Sequence, residues 1–384
     1  MNPQDLIAPP SSLGNPAPFW FITFFKVLGF ILHMIPMNIW YVGMLLVALF
    51  ATFGKGHSEE LAHRFTRTMP IIVALGVNLG IVPLLFTQVG YYQFYYPAGV
   101  LIGWPWISVI VLLTFAYYGV YVYSLNVRNS KRTKFAIASA CISSVLFIVI
   151  GFLFANNFSL MVNEDNWINI FNRTNVGAAP TGMALNTSDP TLFPRWLMMF
   201  GIAIMTTAVY IIFDGFYFKR NSTSAQYKAW AVKFSFGIFT LGMIWFAVMG
   251  SWYIFGTLDK FTLDQIVGTP IMLFIFFLTA ISPGAPWIAL LLMRVRVNSN
   301  ILPSRKGSVL LAMIAQLIVI VLNAISRQWV QNAELLRYSD VSKLAVNTQW
   351  SPMIVFLILF VIGLGVVGWM IAKIIAVERL AEKA

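Results

Sequence analysis

Nine long, almost uncharged apolar runs constrain this chain more than anything else in it. They fall at about 19–51, 69–93, 98–124, 134–161, 195–218, 229–256, 266–293, 308–327 and 352–376, each near or above the roughly 20 residues a helix needs to cross hydrocarbon. Inside a bilayer the backbone must satisfy its own hydrogen bonds, so such runs read as helices. None alternates with the two-residue period of a membrane β-barrel strand. Only 10% of the 384 residues are charged, against about 25% in soluble domains. The reading is an all-α polytopic membrane protein with about nine transmembrane helices. It divides into an N-terminal segment 1–18, a single bundle 19–376 and a tail 377–384.

Charge sets the expected orientation. The formal net charge is +12, a value that in a soluble chain would suggest nucleic acid. Here the cations cluster in alternate connections: Lys55, Arg64 and Arg67; Arg128, Lys131, Arg132 and Lys134; Lys219, Arg220 and Lys228; Arg294, Arg296, Arg305 and Lys306; then Lys373, Arg379 and Lys383. The opposite side holds only Arg173, Arg195, Lys260, Arg327, Arg337 and Lys343. By the positive-inside rule the N-terminus is outside and the C-terminus cytoplasmic. The basic balance then reports topology and contact with the lipid bilayer, its anionic lipid included, and not nucleic acid. The first 18 residues lack the basic start of a signal peptide. Cys141, the single cysteine, excludes disulfides and covalent haem c and reads as a packing residue.

Two connections on the outer side are long, 163–193 and 328–351, and either caps the bundle or receives a partner. The tyrosines from Tyr91 to Tyr96 are expected in a short outer loop. His57 and His63 fall beside Glu59 and Glu60 and read as solvated loop residues. Asp214 is expected to pair with nearby Lys219 or Arg220, and Lys233 to reach the interface.

Ionisable residues well inside a span are costly and therefore functional candidates. Lys26 and His33 both lie inside the first run, seven residues or about two helical turns apart, so they share a face about 10 Å along. Met37 and Trp40 continue that face, and Pro36 is placed to kink it. His33 is either a haem-iron ligand or a hydrogen-bonded core histidine. Arg195 and Arg327 either hold a carboxylate of a cofactor or partner or anchor helix ends. No Walker loop, HExxH or i,i+4 histidine pair is present.

Several segments resemble subunit I of the cytochrome bd quinol oxidases. Ala74-Leu75-Gly76-Val77, Gly80, Tyr91-Tyr92 and Gly103-Trp104-Pro105 are similar to that family's ALGV…G…W…GxP stretch. Ala155-Asn156-Asn157-Phe158 resembles its ANGW, Phe236-Gly237 its FG, and Ser326-Arg327-Gln328-Trp329 a worn GRQPW. His33 stands where the family has a haem-ligating histidine. The resemblance implies a respiratory membrane protein in a prokaryotic cytoplasmic (inner) membrane, with one haem b on His33 at most and Lys26, Arg195 or Arg327 near its propionates. It equally marks departures. Arg195 occupies the place of a second haem histidine, Ala324 that of a haem-ligating glutamate, and Val109 and Tyr117 those of two carboxylates in the third helix. Met272 is a loose match for a methionine ligand, and the quinol-binding loop has shrunk to about 256–265. The expectation is a haem-poor or haem-free relative that anchors membrane or periplasmic redox subunits such as cytochromes, with quinone a further partner, and is not by itself a terminal oxidase. The alternatives are a one-haem quinol-oxidising subunit, and a transporter or channel.

Overall fold

A computed structural model of the chain describes residues 7–129, 133–218, 223–298 and 306–381. Lys131, Arg132, Lys219, Arg220, Arg305 and Lys383, used above for orientation, lie outside the described residues, as do the first six and last three residues. The helices are α1 (Phe19–Phe53), α2 (His57–Gly90), α3 (Tyr92–Leu101), α4 (Gly103–Arg128), α5 (Lys134–Met161), α6 (Trp167–Thr174), α7 (Leu192–Tyr217), α8 (Ala225–Ser251), α9 (Lys260–Gly268), α10 (Pro270–Ile281), α11 (Gly284–Asn298), α12 (Lys306–Leu335) and α13 (Trp350–Ala381). Among the described residues nine spans are long and apolar enough to cross a membrane; α10 and α11 together make the seventh, broken at Ser282-Pro283. The chain is an all-α polytopic membrane protein.

Burial separates the spans into two kinds. In α1 and α7 the most apolar stretch is 67% and 61% buried, whereas in α13 none of it is. The first two therefore form the centre of the bundle, and α13 lies against its edge through Phe356 and Phe360 on Phe25. Because lipid is as apolar as leucine, polar and close-packed contacts hold such helices together. Asn38 of α1 and Gln316 of α12 both donate to the Thr206 hydroxyl of α7 at 3.1 Å, and Thr207 donates to the Asn38 carbonyl. The α1–α2 contact relies on glycine. A Cβ at Gly76 would sit 2.1 Å from the Trp40 ring, and one at Gly80 would sit 2.8 Å from the His33 ring.

Several sequence expectations change at the helix ends. The stretch holding His57 and His63 is the first two turns of α2, with His57 Nδ1 3.5 Å from Glu60; Glu59 and Glu60 suit that N-terminus because they complement the helix dipole. Asp214 is fully buried and Arg64 of α2 reaches its carboxylate at 2.5 Å, with a second bond from Arg64 to the Asp214 carbonyl. Lys219 and Arg220, the neighbours it was expected to pair with, lie outside the described residues. Lys233 is exposed, as expected of a residue reaching the interface. The tyrosine cluster is the short helix α3, with Tyr91 and Tyr95 buried. The connection expected from 328 begins only after Leu335, because α12 continues for two further turns.

The two long connections cap the bundle. Trp167 is buried and donates to the Leu160 carbonyl. Arg337 reaches Asp165 at 3.4 Å and Asp259 at 2.5 Å, and Tyr338 donates to Asp165 at 2.9 Å, tying three connections together. The N-terminal segment joins them, since Asn15 and Pro16 exchange backbone bonds with residues 345–349. All these segments sit at one loop-rich end.

Glu164 lies in this cap with no exposed surface and neither carboxylate oxygen partnered among the described residues. Burial, with Asp165 beside it, pushes its carboxyl up to about 8. The native state therefore holds the proton more tightly than the unfolded chain. Its stabilising contribution is complete below about pH 4.5, falls as pH rises toward 8 and is constant above. Amide-exchange protection of residues 162–191 should drop between pH 5 and 8.5, and in Glu164→Gln the profile should be flat; a wild-type profile with no such slope would show the carboxyl is already ionised.

Candidate functional site

The polar interior of the bundle concentrates under the cap, where α1, α2 and α12 meet. A cavity of about 70 Å³ is lined by Lys26, His33, Thr87, Arg327, Gln328 and Gln331 on a background of phenylalanine and aliphatic side chains. Lys26 lies about 10 Å along α1 from its start and is only 7% exposed. Its ammonium donates to Gln331 Oε1 at 2.7 Å and sits 4.0 Å from the Tyr91 ring centre. Tyr91 in turn accepts from Gln328 Nε2 at 2.7 Å and donates to Asn332 Oδ1 at 2.8 Å.

His33 Nδ1 lies 2.7 Å from the Gly76 carbonyl oxygen. A carbonyl only accepts, so Nδ1 carries the hydrogen and Nε2 is the bare nitrogen. Gly80 allows the ring to lie flat against α2, because any side chain there would meet it. The guanidinium of Arg327 stands over Phe30 at 4.3 Å and Phe158 at 5.3 Å. Among the described residues it has no carboxylate within ion-pair reach.

The structure thus brings Lys26, His33 and Arg327 to one cavity and leaves Arg195 outside it. Arg195 makes an ion pair with Glu334, through both terminal nitrogens, at a place where the two side chains are 14% and 7% exposed. It also faces Tyr253 at 5.1 Å. Glu334 of the same chain thus supplies a carboxylate to Arg195. Met272, the loose match for the methionine ligand, lines a different cavity.

Gln331 escaped the sequence reading, and Glu334 was not seen as a helical residue, because 328–351 was assigned to a connection. A usable signal existed: no glycine or proline occurs between Ser308 and Ser351, so nothing breaks a helix that starts there. Continued through Leu335, that helix places Arg327, Gln331 and Glu334 at the i, i+4 and i+7 spacing of one face.

A porphyrin tests poorly against these residues. One imidazole has its hydrogen anchored as metal-bound histidines do, and two cations stand near it. The space, however, is about 70 Å³, whereas pockets for cofactor-sized ligands start near 300 Å³. Among the described residues no group of three or more His, Cys, Asp and Glu side chains is placed to hold a metal ion. As packed, the cavity takes a few waters or a comparably small solute, and a haem does not fit it.

No protein-family model matches the sequence, and no curated protein matches it. Among solved structures, a chain of the bd oxidase from Geobacillus thermodenitrificans is similar, with a TM-score of 0.69 at 13% identity, covering 96% of this chain and 99% of that one. At that identity the likeness is one of fold.

Proposed function

We propose that this chain is a haem-free membrane-anchor subunit of a respiratory electron-transfer complex, seated in the cytoplasmic (inner) membrane of a prokaryote. Its N-terminus and loop-rich cap face outward, and its partners are membrane or periplasmic redox subunits such as cytochromes, with quinone a further candidate. The observation that carries this reading is a bundle shared almost end to end with a bd oxidase chain, built around a cavity with one imidazole and too little room for a porphyrin. The cap supports it too. Its connections are fastened to one another by Arg337, Asp165 and Asp259, which gives a partner a preformed surface.

One observation favours a second reading, a one-haem quinol-oxidising subunit: the His33 imidazole is oriented with Nε2 bare. A haem assay and a reduced-minus-oxidised spectrum on the purified chain, with His33→Ala beside it, separate the two. The anchor reading expects no b-type signal from either protein. A b-type signal in the wild type that disappears in His33→Ala would replace it with the one-haem subunit.

A further inference from the structure

We infer that the cavity between α1, α2 and α12 is a binding site for a small anion, a halide or a compact oxyanion of the size of nitrate or formate. The inference rests on the haem-free reading above. It starts from the charges on the cavity wall. Lys26 and Arg327 both face the cavity, and among the described residues neither has a carboxylate within ion-pair reach. The nearby acid, Glu334, is already committed to Arg195.

An arginine stays ionised in proteins, and an ionised side chain inside a membrane bundle is stable only when paired. Its contacts with Phe30 and Phe158 supply π faces and no carboxylate. Lys26 spends one of its three hydrogens on Gln331 Oε1, and that bond turns the amide so that Gln331 Nε2 is buried with no acceptor among the described residues. Lys26 and Arg327 therefore bring positively charged N–H donors to one small space. What such a group lacks is a negatively charged acceptor.

Size narrows the choice. About 70 Å³ is the room of a few waters. A halide or a three- or four-atom oxyanion fits, and a nucleotide or a lipid headgroup does not. Phe30, Phe154 and Phe158 form part of the wall, and in such low-dielectric surroundings each charge-assisted bond counts for more than it would in bulk water.

The test uses the purified full-length chain in detergent, with sodium gluconate replaced stepwise by chloride, nitrate or formate at constant ionic strength. The unfolding temperature of the wild type should rise by several degrees and saturate with at least one of these anions, as ligand linkage requires. In Arg327→Gln and in Lys26→Gln the rise should vanish, while each variant still unfolds cooperatively in gluconate. No anion-specific rise in the wild type, or an equal rise in Arg327→Gln, overturns the site. Haem measured in the same wild-type preparation and missing from both variants also overturns it, and identifies the haem-free reading as the point of failure. A haem-free preparation without an anion response defeats this inference alone.

Discussion

Replacing Glu334 by glutamine should destabilise the bundle by about 3–5 kcal/mol, the usual cost of removing one partner from a buried ion pair. The substitution keeps the side chain's shape and removes only its charge. Arg195 is then left ionised with a neutral amide oxygen in place of the carboxylate that balanced its charge, at a site where it is 14% exposed and where its Nε already lacks an acceptor among the described residues. Tyr253, whose ring lies 5.1 Å away, offers a π face and cannot replace a carboxylate. The comparison that isolates the pair is Arg195→Met with Glu334→Leu, which takes away both charges together. Buried pairs exchanged for packed apolar side chains are often neutral, so the double variant should unfold close to the wild-type temperature while Glu334→Gln unfolds well below it. Equal unfolding temperatures for wild type and Glu334→Gln would mean that water reaches Arg195.

Gly76→Ala should be nearly as damaging, for a reason that owes nothing to charge. The added methyl would lie 2.1 Å from Cζ3 of Trp40, and Trp40 cannot easily retreat because its other side stacks on Phe147 with centroids 5.8 Å apart. Overpacking a filled core costs about 1–3 kcal/mol, and this overlap belongs at the upper end. Gly80→Ala should follow it, pressing on the His33 ring at 2.8 Å and loosening the bond from Nδ1 to the Gly76 carbonyl. Thermal unfolding in detergent measures both effects. Adding Trp40→Leu to Gly76→Ala should restore much of the loss, because the space vacated by the ring admits the methyl. If the double variant were no better than the single one, the close approach of α1 and α2 at this level would be wrong.

The two glycines also show how far the sequence could be read. Their spacing was visible within the segment Ala74 to Gly80, where they carried a likeness to a family. Their physical task, admitting Trp40 and His33 from the neighbouring helix, became visible only when α1 and α2 were placed side by side. Asp214 shows the same limit. Its charge suggested an interface or local pairing, but its bond with Arg64 links residues 150 apart in sequence, which no local pattern reveals.

What the sequence determined alone was the solvent and the architecture. Nine apolar runs and a scarcity of charge point to a helical membrane bundle, because the backbone in hydrocarbon pairs its polar groups only in helices or closed barrels and no run alternates as a barrel strand does. It also marked Lys26, His33, Arg195 and Arg327 as the costly residues. Pairing among them was a tertiary decision. Arg195 found Glu334 through the continuation of α12, whereas Lys26 and Arg327 were brought to one cavity without an acid. A charge's cost is written in its own residue type, but what relieves that cost depends on which helix packs against it.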